Sequence, residues 1–551
     1  RATRGMPSMI VARTLKGKGV SFSEGKPGWH GRAFKKGEEL DKAIAELEAQ
    51  LTTDGEGIHL AERIPKPKDT AKLPATISVV VKPMKYQVGD QVATREAYGA
   101  AIARLGATDD RIVALDAMRL PGAVRMKCED LAVDVIGLAV AARNQDYAKA
   151  ALAGWDDDGR CTAIGHERTL SAAGAAFVNG TATHGEDFDD TFEGGPVHAG
   201  AVMVPGVLAA CERYNPDGAS ALLGIAVGVE TLCRLSLVAP KMVHKAGFHP
   251  TAVLGAMAAA AGISAALKCD RRQIVDALGI AGSMASGIIE YLAEGAWTKR
   301  LHAGWAAHAG LHAARIAREG FAGPRTVFEG AHGLFFAFAR GKDGDFDALT
   351  GGFGEHWHMS GLTFKPYATG TMNQPYVDCA LRLAQRGFAA EDVAAVLCET
   401  AEGYVHRLWE PLAAKQRPPN GYAAKFSTPF NIAVAFVTGA AGFEAFSERT
   451  AGDARILGLA GKVRYVVDPA NPYPRAYTGH VRMTLKDGRV FEERQPHIRG
   501  GVHEPLSRED IDRKFRANAA YGSWPAPLAE RFLDFAKGAF RGPLALAPFR
   551  R

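Results

Sequence analysis

The sequence predicts a chain that is mainly α with an α/β part, and three features predict it. From Arg125 to about Gly341, apolar and small residues recur at helical spacing, with Ala and Gly frequent enough for helices to approach closely. Past about Phe353 the pattern shifts to short strand-like runs: VAAVLCET, KVRYVVD, HVRMTL and RVFEERQ. At the other end, a buried-strand pattern, an amphipathic helix and a Pro- and Lys-bearing stretch form an α/β segment of different texture.

The chain has 551 residues, enough for several domains with large cores. Its net charge of +6, without a long basic run, gives no support for nucleic acid as a partner. The seven cysteines are scattered and lack CxxC spacing, which fits reduced thiols in a cytoplasmic protein. No signal peptide is visible, and because the sequence begins at Arg1 it is expected to be a fragment at that end. Thr251 to Cys269 approaches the ~20 apolar residues of a bilayer span. It is rich in Ala and Gly and flanked by His249 and Lys268, so a buried helix is expected and no membrane partner.

In chain order, MPSMIVARTLKGKGVSF reads as a buried strand and a Gly/Lys loop, GEELDKAIAELEAQL as an amphipathic helix, and the stretch from Ile64 to Asp90 as a linker. TREAYGAAIARLGATDDRIVALDA gives a helix and a short strand. VARTLKGKGVSF, GWHGRAF, GEELDKAIAEL, ATREAYGAAIARL and RIVALDA together resemble transketolase, in the order of the end of its thiamine-diphosphate domain, its linker and the start of its next domain. The resemblance places His30 near the cofactor diphosphate. It stops near Asp116, and neither the GDG motif with its downstream Asn nor the segment of the cofactor-activating Glu is found. A KGKG loop by itself is a weak phosphate signal. No thiamine cofactor and no transketolase activity are therefore expected.

VRMKCEDLAVDVIGLAVAARNQDYAKAAL has helical periodicity. The densest chemistry lies in THGEDFDDTFEGGPVHAGAV, from Thr183 to Val202, where Glu186, Asp187, Asp189, Asp190 and Glu193 sit between two apolar-small segments. An acidic run is commonly a solvated face, but here it is squeezed between segments destined for burial, where carboxylates need partners. Asp187 and Thr191 are spaced i,i+4 and would share a helix face if the helix continued that far. Farther on, Asp487-Gly488 signals a hairpin with a type I′ turn. FEAFSERT, REDIDRKFRANAA and PAPLAERFLDFAKGAF read as amphipathic helices, the last with Leu528, Phe532 and Phe535 on one face and placed to return to the helical part.

GHERTLSAAGAAFVNGTATHGEDFDDT, VHAGAVMVPGVLAACE, GFHPTAVLGAMAAAAG, ALGIAGSMASGI, WTKRLHAGWAAHAG, FKPYATGTMNQPYVDCA, AKFSTPFNIAVAF and GGVHEPLSREDI resemble the MmgE/PrpD family, which includes 2-methylcitrate dehydratase, cis-aconitate decarboxylase and iminodisuccinate epimerase. The resemblance implies a large all-helical domain plus a smaller α+β lid domain, preceded here by a truncated α/β transketolase-like segment. The implied boundaries are 1–117 for that segment, 118–355 for the helical domain, 356–503 for the lid and 504–551 for C-terminal helices returning to the helical domain. The family's first helix is expected to be missing, and the junction near Asp116–Met118 reads as a truncated gene fusion or an artefactual join. The resemblance also implies a homodimer.

Carried over by position, the resemblance makes Asp187, Thr191, His198, His249 and Lys299 catalytic and puts Lys365 in a stretch where the family often contacts ligand; His302, which the resemblance does not carry, is expected as a further substrate contact. The expected substrate is a small di- or tricarboxylate, with no cofactor and no metal. The residues agree with such chemistry. Elimination of water needs a base for the proton next to a carboxylate and an acid for the departing hydroxyl, and two imidazoles near their ordinary pKa of ~6.5 serve both roles. Lys299 would neutralise a substrate carboxylate, and Asp187 would hold an imidazole in one tautomer. Decarboxylation or epimerisation would use the same groups, and an inactive fusion remnant is the non-enzymatic alternative. Lys365 could instead be a solvated linker residue. His308 and His312 have a zinc-compatible i,i+4 spacing, but without a Glu between them they read as helix packing. Thr371 and Gln374 stand where many members carry Arg and His, and Phe430 stands where some carry Tyr, which puts 2-methylcitrate and cis-aconitate themselves in doubt.

Overall fold

The structure, a computed structural model, describes residues 20–24, 34–49, 120–215, 217–291, 296–341 and 344–550. It divides into two compact units, Arg1–Lys82 and Pro83–Arg551. In the first, GEELDKAIAELEAQL forms the helix Glu38–Glu48, which buries Ala43. The strands and helix expected at 1–19 and 91–117, the KGKG loop and His30 lie outside the described residues.

The second unit has two hydrophobic cores. The first is a bundle of small-residue helices. Pro250–Ala266 packs against Gly218–Val238, Arg271–Met284 and Thr298–Arg318, and the last also lies on Ala172–His184. Local signals set several of the helix starts. Ser171 and Asp217 accept bonds from the backbone amides of Gly174 and Ser220, Asp270 and Gln273 form a capping box, and Pro250 opens its helix at a position where its missing N–H costs nothing. Glycine is required where backbones touch: a Cβ on Gly304 would lie 2.1 Å from the Phe177 carbonyl oxygen, and one on Gly262 would lie 2.5 Å from that of Gly224. The Thr251–Cys269 stretch forms the helix Pro250–Ala266, buried along nearly its whole length. Among the described residues one helix, Gly218–Val238, is long and apolar enough to cross a membrane, and it is mostly buried among the others.

The run from Arg125 forms two helices, Gly122–Ala142 and Asp146–Ala153. After them come β1 (Asp158–Thr162) and β2 (Thr169–Leu170), an antiparallel pair. The end of the chain packs on the same bundle. Arg508–Tyr521 lies on Gly122–Ala142, where Gly137 admits the Phe515 ring, and Phe515 stacks on Phe532 of Ala526–Ala536 at 5.1 Å.

The second core is built on a sheet of order β6-β5-β7-β8, with β5 (Val393–Thr400), β6 (Val463–Val467), β7 (Gly479–Leu485) and β8 (Val490–Gln495). β5 pairs parallel with β6 and antiparallel with β7, and β7 pairs antiparallel with β8. Gln374–Ala384 covers β7 and β8, and Thr428–Thr438 packs on that helix. Two local expectations change. The Asp487-Gly488 hairpin forms, but Leu485 N–H bonds the Arg489 carbonyl and Gly488 alone has positive φ (89°), so the link is a three-residue loop rather than a type I′ turn. FEAFSERT is not one helix: a 3₁₀ turn at Phe443–Phe446 stops at Ser447, whose hydroxyl caps the separate helix Glu448–Ala451.

A short antiparallel pair stitches the acidic run to the segment entering this second core: β3 (Thr191–Phe192) faces β4 (Leu362–Thr363), with Thr191 opposite Thr363. This pairing brings Lys365 beneath the acidic run.

Candidate functional site

The helix Ala172–His184 ends at His184, and the acidic residues that follow are a buried loop. Asp187 takes a left-handed backbone with φ 55°. The expected helix face shared by Asp187 and Thr191 is therefore absent, because the helix stops before either residue and Thr191 belongs to β3. The loop is held by ammonium groups from distant elements: Lys514 donates to the Phe188 carbonyl at 2.8 Å and Lys425 to the Glu186 carbonyl at 2.8 Å. These bonds satisfy a buried, non-repetitive backbone that helix ladders cannot serve.

Helix ends converge on the loop. His198 precedes Ala199–Tyr214, His249 precedes Pro250–Ala266, Lys299 lies in the first turn of Thr298–Arg318, and His184 closes its helix. Lys299 forms an ion pair with Asp187. Lys365, fully buried, donates to the Asp187 carbonyl at 2.9 Å and lies 4.0 Å from Asp189, so it is no solvated linker lysine. His249 and His302 face each other through Nδ1 atoms 3.1 Å apart. His198 Nδ1 is 2.7 Å from the Asp190 carbonyl, and the rings of His198 and His249 lie 6.3 Å apart. Asp187, His198, His249, His302, Lys299 and Lys365 are thus gathered in one place, and Thr191, buried in β3 opposite Thr363, directly follows Asp190, whose carbonyl His198 contacts.

The electrostatics correct two expectations. The imidazoles do not stay near their ordinary pKa. Burial pushes His198 down to about 3 against the opposing charge of Asp189, with Lys365 adding to the fall; burial, His184 and Lys299 push His302 down to about 3; and burial with the surrounding imidazoles and Lys299 holds His249 well below the usual range. Nor does Asp187 orient an imidazole. Burial opposes its ionisation, but Lys299 and Lys365 outweigh that and keep it far below the usual carboxylate range. Asp187 in turn outweighs desolvation at Lys299 and holds that ammonium charged. Asp190 behaves oppositely: burial and the charge of Asp189 raise it to about 7, while it accepts bonds from the amides of Ala199 and Gly200.

A second ionic layer borders the first. Glu186 binds Lys425 at 2.5 Å and Arg300 at 3.3 Å. The Arg300 guanidinium lies over three rings, Tyr147 at 4.2 Å, Tyr422 at 4.3 Å and Trp297 at 5.9 Å, and the Tyr422 hydroxyl is 3.4 Å from Asp187. Donor atoms of His184, Asp189 and His198 lie within 4.8 Å of one another, a spacing a metal ion accepts. In the structure Asp189 is partnered by an imidazole nitrogen at 2.7 Å and the Lys365 ammonium at 4.0 Å. His308 and His312 pack ring to ring at 4.6 Å, with His308 stacked on Trp305, as helix packing requires.

Gln374 and Phe430 are both spent on structure. The Gln374 amide is bonded to the backbone of Tyr367 and Thr369, and Phe430 is buried in the second core. Thr371 opens a 3₁₀ turn at the start of the same element. Sequence reasoning missed His184, Asp189, Tyr422 and Lys425. For the first two a signal existed, an imidazole at the end of an apolar helix directly before an acidic run. Tyr422 and Lys425 carry no local signal, since only tertiary packing brings them to Glu186 and Asp187.

A buried cluster of imidazoles, carboxylates and ammonium groups set in a helical bundle offers acid–base chemistry, and the comparisons give the class as a lyase. The chain belongs to the MmgE/PrpD family: the family's N-terminal domain matches residues 110–347 and its C-terminal domain residues 367–531. Curated relatives include the cis-aconitate decarboxylase of Homo sapiens, 30% identical over 367 residues, covering 63% of this chain and 72% of that protein. That of Aspergillus terreus is 27% identical over 432 residues, covering 73% and 86%. A separate stretch is similar to transketolase of Mus musculus, 36% identical over 110 residues; it covers 20% of this chain and only 17% of that enzyme.

Proposed function

We propose that the protein is a metal-free lyase that removes water, or carbon dioxide, from a small di- or tricarboxylate such as a 2-methylcitrate-like acid. The observation that carries this reading is the meeting of Lys299, Lys365, His198, His249 and His302 around Asp187 in one nearly sealed site. The two ammonium groups would receive substrate carboxylates, exchanging their contacts with Asp187 for contacts with the substrate. The neutral imidazoles are in the state a base requires. The sheet core with Lys365, Tyr422 and Lys425 acts as a lid over the helical core, and the protein works as a cytoplasmic homodimer without a thiamine cofactor. A panel of di- and tricarboxylates assayed against the protein and its His249→Ala variant tests this. Turnover by the first and a loss of ~10²-fold or more in the variant is expected; equal turnover by both would sink it. A second reading, epimerisation of a dicarboxylate, draws on the two imidazoles 6.3 Å apart that would flank one carbon. Deuterium exchange into substrate without release of water or carbon dioxide would favour it.

A further inference from the structure

One buried pair in the site has no part in that reading. His184 and Asp189 are both inaccessible to solvent, and His184 Nδ1 lies 2.7 Å from Asp189 Oδ2. A carboxylate accepts only, so this contact fixes a hydrogen on Nδ1, and in the neutral ring the lone pair is then on Nε2. That Nε2 is buried and has no hydrogen-bond partner among the described residues. Buried polar atoms are nearly always paired, and an orphan in a functional region calls for a ligand atom or an ordered water. The His184 ring stacks on His249 at 5.5 Å and lies 5.1 Å from His198.

We propose that His184 is a further acid–base residue of this site, with Asp189 as its orienting carboxylate and Nε2 as the atom that takes and returns the substrate proton. The inference rests on the lyase reading above and assigns its proton-transfer step. The other imidazoles lack what His184 has. Nδ1 of His198 faces a backbone carbonyl, and Nδ1 of His249 faces another imidazole. Asp189 reaches His198 only at 3.7 Å. An imidazolium formed at His184 would therefore gain a short charge-assisted bond, of the stronger class of hydrogen bonds. In the step assigned, the C–H bond beside a substrate carboxylate breaks heterolytically. The electron pair stays on the carbon and spreads into that carboxylate, held by Lys299 or Lys365, while the proton goes to Nε2. In dehydration that pair then forms the double bond as the adjacent C–O bond breaks, and the hydroxyl leaves as water with the proton from Nε2, which restores the neutral ring; reversal before that point returns the proton to carbon.

The test uses the full chain with His184→Gln and Asp189→Asn. Expected for His184→Gln is a kcat loss of ~10²–10⁴-fold, the range of general acid–base catalysis, with KM within about threefold and loss of deuterium uptake into substrate. Asp189→Asn should shift the acidic limb of the pH–rate profile to lower pH, because the imidazolium loses its anionic partner. Retention of wild-type kcat and exchange in folded His184→Gln would overturn the proposal. A readout independent of turnover is nitrogen NMR of the wild-type protein labelled at histidine. His184 should show a protonated Nδ1 and a bare Nε2 whose resonance moves on adding malonate. A resonance indifferent to malonate overturns the assignment even if the variants fail to fold. Absence of turnover on every panel substrate, with the NMR response intact, would instead count against the lyase reading alone.

Discussion

In the helical core backbone meets backbone; in the sheet core ring meets ring. Gly180 lies against Gly304, and Gly262 against Gly224 and Gly228, so the helices touch with almost no side chain between them. Around the sheet, Phe388 stacks on Phe491 at 4.7 Å, Trp409 meets Tyr465 at a tilt at 5.0 Å, and Tyr404 meets Tyr473 edge-on at 4.8 Å. The difference bears on the site. Helices in backbone contact cannot slide or rotate without collision, and it is their ends that carry His184, His198, His249 and Lys299. The second core delivers Lys365, Tyr422 and Lys425 from loops and short turns instead. The ionic contacts of Glu186 and Asp187 lie along the boundary between the two cores.

The comparison breaks most visibly at Gly304. Gly304→Ala would press a methyl group into the Phe177 carbonyl, where neither backbone can yield, and should cost about 3 kcal/mol or more. It should also lower activity by displacing Lys299, five residues away on the same helix. Thermal unfolding with kcat/KM on the folded protein checks this, and a variant as stable as the parent would show the helices to be loosely packed.

Next in size is the response to acid. In the unfolded chain each imidazole titrates near ~6.5, whereas His198 and His302 stay neutral in the fold down to about pH 3. Between those values the unfolded state binds more protons, so stability is full above pH ~6.5 and is lost as pH falls toward 3. The loss amounts to about 2 kcal/mol per imidazole at pH 5. Melting temperatures from pH 8 to 5 should fall accordingly, and His302→Asn should flatten the slope. A slope unchanged in that variant would place the acid sensitivity elsewhere.

The smallest effect sharpens the contrast from the other side. Gly458, in the helix Ala454–Ala460 of the sheet core, has open space where a Cβ would go. Gly458→Ala should therefore stabilise by roughly 0.5–1 kcal/mol, opposite in sign to Gly304→Ala, as chemical denaturation would show.

Much of this architecture is legible in the text of the chain. The runs VAAVLCET and KVRYVVD fall on β5 and β6 because alternation and β-branched residues are local signals, and Ala- and Gly-rich periodicity marks the bundle helices. The type of the 487–488 turn was not legible, because it depends on how β7 and β8 register. For the site, one-dimensional reasoning finds the residues beside distinctive local text, in THGEDFDDT, GFHP and WTKRLH. It misassigns their pairing, giving Asp187 to an imidazole when the fold gives it to Lys299.

What the sequence determined by itself is the longer helices and strands and the burial of the acidic run, since both follow from the spacing of apolar side chains. What only the tertiary structure decided is who faces whom: Lys299 on Asp187, Asp189 on His184, Lys425 on Glu186. Those contacts join residues as many as 239 positions apart, and the protonation state of each group depends on its neighbours and on the water removed around it, neither of which is written in any local stretch of the chain.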